Sequence, residues 1–319
     1  MAWRNSTLRI QDFLAIAGLA LFWYLIVPLI GAFRVQRYWR QFRARFLTLQ
    51  KMPLLNYQLS CLRTEEPSLY RCIGSIEAVN DKGFLWVRNE DVTVAVSMNW
   101  AQIFLVPPEG SQDGFLQRLQ WTRFPLVFED SKVYILGPYC TNLEGSYFCS
   151  TKDEPLIVLL FDGDEQDVIF RVMKAARQPN EYWNSITSYS LALGMLSQLL
   201  ITMCYSGRPA LRFFVLVALT AAFIPILPLL PPGVLFTSIY RRWWRKARQY
   251  RSNRDIYELQ KQIPPLHHVD YVAESLIGKD IQFYQNRSLL LVLYAVIAVG
   301  FGIMVNMIIV FFVLQNLFL

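Results

Sequence analysis

An α+β membrane protein, with about four transmembrane helices and one β-rich soluble domain between the first and second of them, is what three features of this sequence predict. The first is composition: 54% of residues are apolar and 15% aromatic, and mean hydropathy is positive, too oily for an ordinary soluble domain of this length. The second is a set of apolar runs of about 20 residues, the length that crosses a hydrocarbon core of roughly 30 Å. The third is a stretch of short alternating segments between turn signals, the pattern of strands.

The spans are taken in order. Residues 13–33 carry no charge, and residues 288–314 are interrupted only by Asn306. Residues 186–205 are diluted by Ser188, Ser190, Ser197, Gln198 and Thr202, and residues 213–240 are broken by Pro225, Pro228, Pro231 and Pro232. Those prolines remove backbone donors, so the third segment must kink or re-enter, and a helix restarts near Gly233. The first run is longer than the apolar part of a signal peptide and has no small-x-small site before Arg34, so it reads as a retained anchor.

Basic residues stay on the cytoplasmic side of a span. Arg34, Arg37, Arg40, Arg43, Arg45 and Lys51 follow the first span, against Arg4 and Arg9 before it. The N-terminus is therefore expected outside, residues 34–185 inside, the loop YSGRPAL outside, residues 241–287 inside and the C-terminus outside. The domain expectation is an anchor with a basic collar over 1–51, the soluble domain over 52–184 and two transmembrane segments over 185–240. A basic juxtamembrane helical segment over 241–287 and a last transmembrane helix over 288–319 complete it.

Residues 241–254, RRWWRKARQYRSNR, hold seven basic residues and no acid. Leaving a span, they are expected to meet anionic lipid headgroups through Arg241, Arg242, Arg245, Lys246 and Arg248, each worth about 1 kcal/mol, with Trp243 and Trp244 in the interfacial belt. Nucleic acid is not an expected partner, because no base-reading element accompanies the charge. Tyr182 and Trp183 before the second span also read as interfacial.

Strands are expected at residues 69–79, 83–89, 92–98, 101–106 and 132–139, forming a small barrel or sandwich; GSIEAV and KVYILGPY have the pattern of OB-like barrel strands. The run Leu156 to Phe161 is continuously apolar and reads as a strand buried on both faces. A helix follows, with Val168, Ile169, Val172, Met173 and Ala176 on one apolar face, acids at its start and Lys174 and Arg177 at its end.

Asp162-Gly163-Asp164 is the one acidic pair that could hold Mg²⁺ or Mn²⁺ in a membrane-bound transferase; helix capping explains the same residues and is the preferred reading. No phosphate loop, zinc-protease motif or serine-nucleophile elbow occurs. His267 and His268 are adjacent and follow Pro264-Pro265, so they read as a surface turn, and no metal or cofactor is expected. Cys140 and Cys149 face each other if YCTNLEGSYFC turns at Glu144-Gly145; a disulfide and two buried reduced thiols are both open, the thiols preferred for a cytoplasmic domain.

Small and polar residues recur every fourth position at Ser190, Gly194, Gln198 and Thr202, and again at Ala298, Gly302 and Asn306. Such stripes mark helix contacts. The expectation is that the second and fourth spans pack on each other, with Asn306 bonding Gln198 or, by depth, Thr202. No ionisable residue sits inside a span, which disfavours transport.

Two resemblances enter here. GDEQDVIFRVMKAARQPNEYWN, followed by a span and then ILPLLPPGVLFTSIYRRWWRK, resembles a bacterial multi-span membrane-protein family with no assigned function, across about residues 155–246. That resemblance implies a bacterial inner-membrane placement and no activity. An anchor, a β-rich domain and a further span are also similar to the membrane-flanking domain of mitochondrial ubiquitin-ligase relatives; no Cys/His ring follows, so no ligase activity is implied. The functional expectation is a scaffold or accessory subunit that presents its β-rich domain to membrane or cytoplasmic proteins, the alternatives being the transferase above and a transport-related subunit.

Overall fold

The computed structural model describes residues 2–61, 67–80, 83–90, 92–108, 111, 114–121, 131–142, 145–152, 154–177, 180–262 and 274–318. The chain divides into two units: Met1–Arg37 with Pro179–Arg251 and Gly278–Leu319, and Tyr38–Gln178 with Ser252–Ile277. The second unit therefore takes in chain that the sequence groups with the anchor and the juxtamembrane segment. His267 and His268 lie outside the described residues.

The second unit is built on a closed ring of five strands. Strand β1 (Ser68–Asn80) is long because it serves two neighbours: residues 68–75 pair with β6 (Lys132–Asn142) and residues 75–80 with β2 (Phe84–Arg88), with a register shift between Ile76 and Ala78. A shift of this kind bends a strand and sharpens its twist, which lets one strand turn a barrel corner. From β2 the ring continues to β3 (Thr93–Ser97), to β7 (Gly145–Phe148) and back to β6. The β3–β7 pair is parallel and the other ring pairs antiparallel.

Beyond the ring, β6 also pairs with β8 (Ile157–Phe161), β8 with β4 (Gln102–Leu105), and β4 with β5 (Gln117–Leu119). All of β8 is buried, and its alternation explains why. Val158 and Leu160 join the barrel interior with Cys72, Ile76, Leu85, Val87, Val96 and Phe148, whereas Ile157, Leu159 and Phe161 face a second cluster under helix α4 (Glu165–Ala175). The continuous apolar run is thus a strand between two cores. Burial pushes the Cys72 thiol up to about 12, since a thiolate there would have no solvent.

The second cluster takes Val168, Val172, Met173 and Ala176 from α4 and its C-terminal flank, with Ile169 at its edge. It also takes Phe42, Phe46 and Leu49 from α2 (Val27–Gln50). These three recur at i, i+4 and i+7 among arginines, so the collar helix is amphipathic and its apolar stripe belongs to the soluble core. Gln50 accepts the buried Tyr134 hydroxyl at 2.5 Å.

In the first unit, three helical stretches are long and apolar enough to cross a membrane: Ile10–Gln50, Ser185–Ser206 and Ile281–Leu317. The first comprises α1 (Ala2–Leu21), a π-helical turn (Phe22–Ile26) and α2. The others are α5 (Ser185–Ser206) and most of α8 (Glu274–Phe318), which starts well before the expected residue 288. The proline-rich segment is two helices, α6 (Arg212–Ala222) and α7 (Gly233–Gln262), separated by a 3₁₀ turn at Leu227–Leu229.

Candidate functional site: an aromatic barrel face and a polar membrane interior

Alternation in FLWVR sends Leu85 and Val87 into the barrel and leaves Phe84, Trp86 and Arg88 outside. Across the sheet, Trp86 lies opposite Ala78 on one side and Ala95 on the other, and Ala95 lies opposite Tyr147. Directly opposed residues share a face, so one outward row reads Ala78, Trp86, Ala95, Tyr147. Flanked by two alanines, the indole stands clear of its neighbours and is 41% exposed. Phe84 and Tyr147 meet edge to face at 6.0 Å between ring centroids.

Just past β3, Trp100 has φ +63 and is 66% exposed. A bulky residue in the left-handed region is held against its own preference, and here the turn is tied back by the Met98 N–H donating to the Gly83 carbonyl at 2.9 Å. Sequence reading found these strands but did not mark the face; the signal was there, as aromatics at alternate positions on the solvent side.

The row continues to Cys140, opposite Tyr147. Cys140 and Cys149 form a disulfide, with Cα atoms 5.8 Å apart, inside the range such a bridge needs. Two expectations are corrected. Asn142 pairs with Gly145 and Cys140 with Tyr147, so the two cysteines are diagonal and not opposite. They are also half-buried and bridged where buried, reduced thiols were preferred.

The acidic pair lies apart. Asp162 and Asp164 are both exposed, and the loop is held by its backbone: Arg171 donates to the Asp162 carbonyl and Lys132 Nζ to the Gly163 carbonyl at 3.0 Å. Gly163 has φ +91, which a side chain would resist. Glu165 and Asp167 occupy the first turn of α4, where carboxylates suit the helix dipole. Among the described residues, no group of three His, Cys, Asp or Glu is placed to hold a metal ion.

Polar residues of the membrane unit donate to backbone carbonyls, several of them close to prolines. In a helix, the carbonyl four residues before a proline has no N–H to accept from. Pro28 does this to Tyr24, whose carbonyl accepts the Tyr182 hydroxyl at 2.6 Å. This is where the π-helical turn sits, and the Ser190 hydroxyl bonds the adjacent Trp23 carbonyl. Asn306 Nδ2 donates to the Leu227 carbonyl at 2.6 Å and reaches the Leu230 carbonyl at 3.0 Å; both carbonyls also accept a backbone N–H, from Leu230 and from Val234, each at 3.2 Å. The Pro228 carbonyl, in the turn before α7, accepts the Thr237 hydroxyl at 3.2 Å.

The expected bond from Asn306 to Gln198 or Thr202 is therefore replaced. Gln198 donates to the Ile16 carbonyl at 3.1 Å, and Thr202 bonds back to Gln198 of its own helix at 2.9 Å. The α5 stripe faces the first helix: a Cβ on Gly194 would come within 2.4 Å of the Tyr24 ring. The α8 stripe faces α7, where Gly302 lies against Phe236, with Ala298 half-buried beside it. In an apolar interior a carbonyl of a neighbouring segment can take a side-chain donor in place of a second side chain that satisfies itself locally.

The basic segment also divides. Arg241, Arg242, Arg245 and Lys246 are exposed along one side of α7, but Arg248 is buried, so it does not belong to a lipid-facing set. Trp243 meets Tyr294 at a tilt with ring centroids 5.5 Å apart, and Trp244 lies between Tyr240 and the Arg251 guanidinium, so both indoles pack within the unit as well as edging its surface. Tyr182 is likewise turned inward by its bond to Tyr24, while Trp183 stays exposed. No protein family, curated protein or solved structure matches this chain.

Proposed function

We propose that the protein is a multi-pass inner-membrane scaffold or accessory subunit whose OB-like barrel offers the Phe84, Trp86 and Tyr147 face to a protein partner. The outward aromatic face, with Trp86 exposed and Phe84 and Tyr147 half-buried beside it, carries this reading. A solvent-facing sheet normally carries polar side chains, and aromatic residues with an adjacent arginine are the composition of interface centres. In this reading α6 and α7 together make a fourth, discontinuous crossing, and the exposed Arg241, Arg242, Arg245 and Lys246 hold the membrane side against anionic headgroups. The strand order β1-β2-β3-β7-β6, closed by a parallel β3–β7 pair, supports the OB-like description.

A photo-reactive residue in place of Trp86 or Tyr147 is expected to give one discrete adduct in living cells, whereas the same group at the exposed Lys174 of α4 gives none. Equal adducts at all three positions, or none, would remove the barrel face from consideration.

The basic collars support a cytoplasmic barrel; the Cys140–Cys149 bridge pulls the other way, because disulfides persist in oxidising compartments. In a chain carrying C61S and C204S, the buried Cys72 thiol stays silent and only the bridged pair reports. A membrane-impermeant thiol reagent is expected to label that pair after permeabilisation and reduction. Labelling of intact cells after reduction would invert the orientation.

A further inference from the structure

At the other end of the spans from the basic collar, Ile10, Phe13 and Leu14 of α1 and Ala210, Phe213 and Phe214 line a groove of about 400 Å³. That volume lies in the range of built ligand sites. Its lining is wholly apolar. Immediately beside its residues in the chain stand Arg208 and Arg212, both exposed and neither ion-paired among the described residues. α6 has no acid in its first turn, and the 3₁₀ turn Pro209–Leu211 that leads into it takes the Arg212 N–H on the Pro209 carbonyl. The nearest acid on the facing helix, Asp12, accepts the Tyr205 hydroxyl at 3.0 Å.

An apolar slot whose lining residues adjoin in the chain two exposed arginines, without an ion pair among the described residues, fits a ligand with one anionic end and one long apolar end. We infer that this groove holds one anionic glycerophospholipid, its phosphate on Arg208 and Arg212 and an acyl chain against Phe13, Leu14 and Phe213. The site is separate from the barrel face and does not depend on how that face is used. A bulk bilayer would satisfy the exposed leucines and phenylalanines elsewhere on the spans without any concavity; an apolar groove flanked in the chain by two arginines favours a lipid that is anionic at its head.

The full-length chain in a mild detergent, titrated with phosphatidylglycerol or phosphatidylcholine and observed by native mass spectrometry, tests this. The wild-type chain is expected to retain one tightly held phosphatidylglycerol in preference to phosphatidylcholine. R208Q with R212Q should weaken phosphatidylglycerol about 25-fold, taking roughly fivefold for each arginine at an anionic headgroup, and leave phosphatidylcholine unchanged. A210F, at an exposed position, should block the slot and weaken both lipids, while R241Q with R242Q should strip loosely held lipid and leave the single tight adduct. Equal retention of the two lipids, or wild-type behaviour of R208Q with R212Q, would overturn the inference. A dimer that A210F abolishes would also overturn it, by giving the groove to a second copy of the chain.

Discussion

Replacing Asp255 by alanine is expected to lower the stability of the barrel unit by roughly 3–5 kcal/mol, the usual result of leaving a buried ion without its partner. Asp255 is buried and takes Arg177 and Arg43 on one carboxylate oxygen and Arg254 on the other, the last at 2.9 Å. Arg177 is itself buried, and Arg43 also donates to the Ala176 carbonyl at the end of α4 at 2.7 Å. Removing the carboxylate leaves two guanidinium groups desolvated and facing each other. In a unit of this size the loss corresponds to a fall of about 10 °C in Tm, measured by tryptophan fluorescence of the full chain in detergent. Added salt should not reproduce it, since a buried cluster is poorly screened. Combining D255L with R43L and R177M should recover much of the loss, because replacing a whole buried ionic cluster by apolar groups is often neutral. A fall of less than about 1 kcal/mol for Asp255→Ala, the range of exposed ion pairs, would show that the cluster is solvated and not structural.

Gly74→Val should do comparable damage by a different route. A Cβ at Gly74 would lie 2.3 Å from the Arg88 carbonyl oxygen and 2.9 Å from its carbon. These are backbone atoms of the neighbouring strand, with no flexible end that could move away, so the strand pair must separate. Overpacking a well-filled site costs about 1–3 kcal/mol and more where the backbone blocks relief. The position matters because β1 passes from β6 to β2 at Ser75, so separation here opens the ring. Ala78→Val, exposed on the same strand, is the control: it adds a β-branched residue without a clash and should leave Tm unchanged. If both variants melt together with the wild type, the close approach at Gly74 is not part of the folded barrel.

Elements whose physics is local could be read from residue order. Strand β8 announced itself as six apolar residues in a row, and α4 by a period of 3.6 with acids first and cations last; both patterns are complete within a dozen residues. The stripes at Ser190, Gly194 and Gln198 and at Gly302 and Asn306 also mark the faces that make contact. What period cannot supply is the partner, and pairing one polar stripe with the other overlooked the backbone. One acceptor, the Tyr24 carbonyl, was legible in another way, by counting back four residues from Pro28. Asp255 with Arg43 and Arg177 had no such signature, because three charges from distant parts of the chain form no local pattern. The aromatic face was present in FLWVR, but alternation was used there to find a strand and not to ask what its outer side carried.

The ring of strands is not equally strong around its circumference. Between β1 and β6 the ladder runs unbroken from Ser68 to Ser75, while β3 and β7 are joined at Ala95 with Tyr147 and at Val96 with Phe148. Such a cylinder has a clasp. Thermal breathing concentrates where fewest hydrogen bonds must break together, so the wall that carries Tyr147 is also the wall that loosens first. Cys149 follows Phe148 directly, and its bridge to Cys140 fastens the short strand to the long one beside it. The stiffness of the aromatic face is thereby tied to the thiol chemistry of its surroundings: fastened, it is a rigid plate, and released, it can flex to follow the contour of whatever lies on it.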